Sequence, residues 1–166
     1  MTKAVWSTIT TTAAVLLFST TAYAQASAPA ALNVSVNVNA KAKLTLGTAS
    51  IAFADADPDV TPTLTSAGVS FDVKARTSST GNVTLTVLAS GDLASATSAI
   101  AINNLTWSST GAGFVAGTAN KTTAQSVGSW TGSGNPTGSQ VFSLPNSWTY
   151  NTGTYAVTLN YTLTAP

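Results

Sequence analysis

The chain has no cysteine and no histidine, and its five acidic residues are all aspartate. Without thiol or imidazole, cysteine nucleophiles, imidazole general bases and zinc centres of the usual kind are ruled out together. No Gly-x-Ser-x-Gly elbow occurs, and an acyl-transfer triad in its usual form requires the missing histidine. The absence of cysteine also removes disulfides, so the core must be made by packing alone. Charge is scarce too, at 7% of residues. Beyond a short N-terminal stretch, no apolar run approaches the ~20 residues of a membrane-spanning helix. These absences exclude most catalytic classes, and the expectation is a non-enzyme that needs no cofactor or metal.

Among the residues present, the first two dozen read as a cleavable secretory signal. Met1 and Lys3 form a short positive region, Ala13 to Phe18 a compact apolar one, and Ala22-Tyr23-Ala24 satisfies the small-x-small rule for cleavage before Gln25. Residues 1–24 are thus expected to be removed, leaving 25–166 as a single domain. The expected location is extracellular or cell-surface, with periplasmic passage if the source is Gram-negative. The remaining charges are Lys41, Lys43, Lys74, Arg76 and Lys121 against Asp55, Asp57, Asp59, Asp72 and Asp92, close to neutrality. In sequence the cations lie in short separate segments and form no patch, which argues against nucleic acid as a partner. Hydrophobic residues make up 44% of the chain, with four Trp and five Phe, enough to drive folding of a chain so poor in charge.

Period two dominates the pattern. Val34, Val36 and Val38 alternate with polar residues, as do Tyr155, Val157, Leu159, Tyr161 and Leu163. Val69, Phe71 and Val73 precede a Ser-Ser-Thr-Gly-Asn turn at 78–82, after which Val83, Leu85 and Val87 resume the alternation, the signature of a hairpin. Further strands are expected near 44–53, 99–107, 113–116 and 140–150. The fold class this predicts is all-β: an antiparallel immunoglobulin-like β-sandwich of about eight strands.

Residues 128–140 read as a long low-complexity loop carrying Trp130 as its only large side chain. Two roles fit Trp130: an exposed platform for a sugar ring or a partner, or a plug closing one end of the core. Trp107 and Trp148 are the other candidate binding residues. Trp148 and Tyr150 share one side of any strand that holds them, a pattern that also suits core packing. Asp55-Ala-Asp57-Pro-Asp59 resembles the opening of a calcium loop, but Val60 stands where such a loop wants glycine and no Glu supplies the distal ligand. A solvated turn is the expectation there. Asn-x-Ser/Thr triplets begin at Asn33, Asn82, Asn104, Asn120 and Asn160; in a Thr-rich chain they arise readily by chance.

Two family resemblances follow from short motifs. Tyr155-Ala-Val-Thr-Leu159-Asn-Tyr161-Thr-Leu163-Thr-Ala-Pro166 resembles the closing motif of WxL-domain bacterial surface proteins, with Tyr161 in place of the second Trp. Asn104-Leu-Thr-Trp107 resembles that family's internal Leu-Thr-Trp, with Ser109 departing from its following Leu. This implies a β-rich domain held noncovalently at the cell surface and binding cell-wall glycan. Gly153 and the alternation after it are similar to the last strand of spore coat protein U and fimbrial subunits. That resemblance implies a subunit that assembles with its own copies, by strand donation or edge pairing. The segment from Gln25 to Asn39 fits a donor strand or an ordinary first strand of the same domain. The functional expectation is a secreted structural protein that self-assembles, the alternative being a monomeric module that recognises cell-wall polymer.

Overall fold

The computed structural model describes residues 30–166, so residues 1–24, expected from the sequence to be a cleaved signal, lie outside the described residues. The chain divides into two units, Met1–Val36 and Asn37–Pro166. In the first unit residues 30–36 form no strand, and Leu32, Val34 and Val36 are 87%, 85% and 84% exposed.

The second unit is an all-β sandwich with every strand pair antiparallel. In chain order its strands are β1 (Lys41–Leu46), β2 (Thr63–Thr65), β3 (Val69–Arg76), β4 (Asn82–Ala89), β5 (Leu93–Ala94), β6 (Ala99–Ile100), β7 (Thr106–Thr110), β8 (Gly117–Thr118), β9 (Gln125–Thr131), β10 (Thr137–Pro145) and β11 (Leu159–Thr164). A 3-10 turn at Ile102–Asn104 is the only helical element among the described residues. One sheet runs β1-β3-β10-β7-β8, with β2 also pairing β10; the second runs β11-β4-β9; β5 and β6 form a small hairpin.

Alternation builds both layers. In β3, Val69, Phe71, Val73 and Ala75 are buried while Ser70, Lys74 and Arg76 face outward. In β4, Val83, Leu85, Val87 and Ala89 are buried and Thr84 and Thr86 point away from them. These two inner faces meet Trp107, Phe142, Leu144 and Val127 in one hydrophobic core. Period two places a whole strand's apolar set on one side, so each strand contributes a complete face.

Four expectations need correction; the first is the strand near 113–116, where the chain turns and only Phe114 makes a bridge, to Gly128. β3 and β4 are not a hairpin: they belong to different sheets. The turn reverses the chain as its composition demands, with the Gly81 N–H donating to the Ser78 carbonyl (3.1 Å), but it carries the chain across the core. Both strands bury a complete face, and two such faces bury each other by stacking across the sandwich rather than by lying side by side. Residues 128–140 are not a loop, since they supply most of β9, a short turn and the start of β10. Finally, Val34, Val36 and Val38 belong to no strand among the described residues, despite their alternation.

Coverage is uneven across the sandwich. Among the described residues β1 pairs only β3 and β11 pairs only β4, so each is the edge of its sheet. Their inward residues, Leu44, Leu46, Leu159, Tyr161 and Leu163, are only partly buried against the core. On this flank β1 and β11 approach each other, and these five inner residues stay partly exposed.

Candidate functional site

The three candidate tryptophans have separate fates. Trp107, on β7, is 3% exposed; its indole N–H donates to the Val115 carbonyl (3.0 Å) and its ring lies 6.3 Å from that of Phe142. The ring also covers Gly117, where a Cβ would come within 2.4 Å of it. Trp107 is therefore a core residue with no face to offer a ligand. Trp130, on β9, packs edge-on against Phe114 at 4.9 Å, and its N–H donates to the Ala112 carbonyl (2.8 Å). It lies over Gly128 and Gly113, the latter at φ +82, and a Cβ on either would come within 2.5 Å of the indole. Trp130 thus closes one end of the core. Trp148 alone stands out from the surface, at 69% exposure.

Trp148 belongs to the loop beyond β10, and its indole N–H donates to the Asp59 carboxylate (3.2 Å). Asp59 ends the segment Asp55–Asp59, in which all three carboxylates are exposed. This segment folds as a turn: the Asp57 side chain accepts the Asp59 N–H (2.9 Å), and the Asp57 carbonyl accepts the N–H of Val60 and of Thr61. Asn146 then ties the loop to the end of β10 by donating to the carbonyls of Ala56 and Thr61 (2.9 and 3.0 Å). Among the described residues no group of three or more acidic side chains is placed to hold a metal.

At the opposite end of the same sheet the cations gather. The β1–β3 register sets Lys41 across from Arg76 and Lys43 across from Lys74. Directly opposed residues share a face, so all four form a two-by-two grid, and each is exposed. With Asn135 they line a groove of about 300 Å³. This corrects the expectation that the cations make no patch: the two segments are remote in sequence, and antiparallel pairing joins them. Both carry a cation-Ala-cation triplet, Lys41-Ala-Lys43 and Lys74-Ala-Arg76, a period-two signal that two paired strands convert into one surface.

Two ion pairs cancel part of the charge. Lys74 reaches Asp72 at 3.4 Å and Lys121 reaches Asp92 at 2.6 Å. The Lys121 ammonium holds the Asp92 carboxyl below its usual range, helped by the Ile102 N–H (3.0 Å). Lys41, Lys43 and Arg76 are left at one end of the sheet, and Asp55, Asp57 and Asp59 at the other. Midway along the same outer face, Thr45, Ser70, Thr110 and Thr137 line a shallow depression of about 520 Å³. The one carboxylate among its lining residues, Asp72, is the partner of Lys74.

Inside the sandwich a single polar pair spans the core. Gln140 is fully buried, and its Oε1 accepts the Tyr161 hydroxyl (2.8 Å). Its Nε2 has no partner among the described residues. Burial pushes the Tyr161 hydroxyl pKa up, so it stays protonated and donates. The bond joins the two sheets, Tyr161 on β11 of one and Gln140 on β10 of the other.

No protein-family model matches the sequence, and no curated protein matches it.

Proposed function

We propose that this chain is an exported structural subunit that assembles with copies of itself outside the cell. The observation that carries this reading is the segment Leu32-Asn-Val34-Ser-Val36-Asn-Val38, four apolar residues at period two. They are 87%, 85%, 84% and 57% exposed. A soluble monomer has no use for a strand-patterned apolar stripe in water. As a donated strand, the same stripe gains a ladder of backbone hydrogen bonds and places alternate side chains in apolar pockets. The acceptor that suits it is the flank of a neighbouring copy between β1 and β11, where two sheet edges are unpaired among the described residues and five inner residues are partly exposed. A surface of Thr, Ser and Asn with few charges offers little repulsion to such packing.

A second reading has one observation in its favour. Trp148 is exposed and held by Asp59, as an aromatic platform for a glycan would be.

One experiment separates the two. The mature protein, residues 25–166, is compared with its V34D/V36D variant by size-exclusion chromatography with light scattering and by electron microscopy. The subunit reading expects oligomers or filaments from the wild type, and a folded monomer from the variant with an unchanged β-sheet circular dichroism spectrum. A wild type that stays monomeric at all concentrations sinks it. If that monomer also sediments with purified cell walls and Trp148→Ala abolishes the binding, the glycan module replaces it.

A further inference from the structure

We infer that the copies join head to tail, the Lys41/Lys43/Arg76 end of one sandwich meeting the Asp55/Asp57/Asp59 end of the next. The inference rests on the self-assembly reading and adds to it a polarity and a second contact.

The layout of the first sheet carries it. β2 and β3 lie in line along β10, with Thr65 opposite Ser143 and Val69 opposite Gln140. Residues 63–76 are therefore one long strand broken by a bend at 66–68. At about 3.3 Å per residue, the rung at Thr63 and Pro145 lies roughly 40 Å from the rung at Lys41 and Arg76. The acidic turn is fastened beyond the first of these rungs by Asn146, and the cation grid occupies the second. Once the Lys74–Asp72 and Lys121–Asp92 pairs are set aside, every remaining charged side chain among the described residues belongs to one of these two ends. Three cations stand at one end and three carboxylates at the other.

Chance segregation of so few charges has a local cost here. Like charges set directly across a strand pair destabilise it, and the β1–β3 register contains two such pairs. A chain that avoids charge nearly everywhere nevertheless places four cations together, three of them outside the two ion pairs. The occupant that matches them is on the same molecule. The acidic end also carries the two most exposed large apolar side chains outside the 32–38 segment, Val60 at 79% and Trp148 at 69%. An exposed aromatic beside charged groups is a typical anchor of a protein interface, and its face suits the Arg76 guanidinium. Because the two ends differ, a contact between them is heterologous, and repeated it makes a chain of subunits rather than a closed two-fold dimer. Lys41 follows Val38 by only three positions, so the donated segment and the cation grid are adjacent in sequence and address the same neighbour.

The test exploits complementation. K41E/K43E/R76E makes both ends acidic, and D55K/D57K/D59K makes both ends basic; all six positions are exposed, so circular dichroism and thermal melting should show both variants folded. Assembly of the mature protein is followed by light scattering and sedimentation at low and at high salt. Each variant alone should need at least about tenfold more protein to assemble than the wild type. An equimolar mixture of the two should recover assembly to within about threefold, and added salt should weaken both mixture and wild type. Variants that assemble alone as readily as the wild type, or a mixture that recovers nothing, would overturn the inference while leaving the subunit reading in place. A wild type that never assembles removes the subunit reading itself. Retention of wild-type monomer on a polyphosphate matrix, without recovery on mixing, would reassign the cation grid to a polyanion and overturn the inference too.

Discussion

Val73 and Val34 are the same side chain in the same alternating pattern, yet Val73 is 0% exposed and Val34 is 85% exposed. Around Val73, β3 has β1 and β10 on either side and β4 across the core. Around Val34 there is no strand partner among the described residues. The flank of β1 and β11 lies between these extremes, with its inner residues half-covered. Alternation thus marks a segment as competent to be a strand, and the neighbours available decide whether it becomes core, edge or a free stripe. In this molecule the graded coverage of alternating segments is the observation on which the assembly reading rests.

The sharpest way to test that gradient is to remove volume at its two ends. Phe71 is 2% exposed, and its ring lies against Phe114 at 5.9 Å and Tyr161 at 5.2 Å. Phe71→Ala should cost about 3–5 kcal/mol in urea unfolding of the monomer. Leu163, on the β1–β11 flank, should cost only about 1–2 kcal/mol when changed to Ala, because part of its surface already meets water. Equal losses at the two positions would mean that the flank is as closed as the core, and that no acceptor for a donated strand exists there.

How much of this was legible in the sequence depends on the kind of information each feature needs. The strands around Val69–Val73 and Val83–Val87 follow from local alternation; the last strand follows only in part, since the alternation starts at Tyr155 and the strand at Leu159. What local pattern lacks is partner identity. The turn at 78–82 states that the chain reverses, but whether the next strand joins the same sheet is settled by where both buried faces find cover. β9 and the start of β10 were hidden by composition: a run of Gly, Ser and Thr reads as loop, yet in β9 the missing side chains are what let the Trp130 ring lie over Gly128. The cation grid was hidden by distance along the chain, since only the register makes Lys41 a neighbour of Arg76. Trp107 and Trp148 looked equivalent as binding candidates. One has Gly117 and Phe142 against it and the other has water, a difference of tertiary packing alone.

A smaller effect is expected at the polar pair that joins the two sheets. Tyr161 lies on edge strand β11 and donates to Gln140 on central strand β10. Tyr161→Phe leaves both ends of the buried amide without a partner, and should cost about 1–3 kcal/mol near neutral pH. The pH dependence has a defined sign. Burial raises the folded-state pKa above the value of about 10 for a free tyrosine, so the contribution is fully present below pH 10 and is lost as pH rises. Wild-type stability should therefore fall faster than that of Tyr161→Phe above about pH 10, as read by denaturant midpoints across alkaline buffers. Parallel curves would show that β11 leaves Tyr161 open to solvent.

The least effect is expected at Asp92, at the surface in the turn between β4 and β5. Its carboxylate accepts from Lys121 at 2.6 Å and from the Ile102 N–H at 3.0 Å, tying the turn after β4 to the 3-10 turn below the core. Both contacts favour the charged form, so the folded-state pKa lies below that of the unfolded chain. A depressed carboxylate contributes stability above the unfolded value, near pH 4, and that contribution disappears as pH falls through the folded value. In Asp92→Asn the amide oxygen still accepts from Ile102, but the charge is gone. The melting temperature of the variant should then lie slightly below that of the wild type at pH 7, and the gap should close as pH is lowered toward 2.5. A gap that persists at low pH would mean that Asp92 acts through shape rather than charge. The Lys121–Asp92 pair would then no longer count as neutralised, and the separation of the remaining charges into two ends would lose one of its two premises.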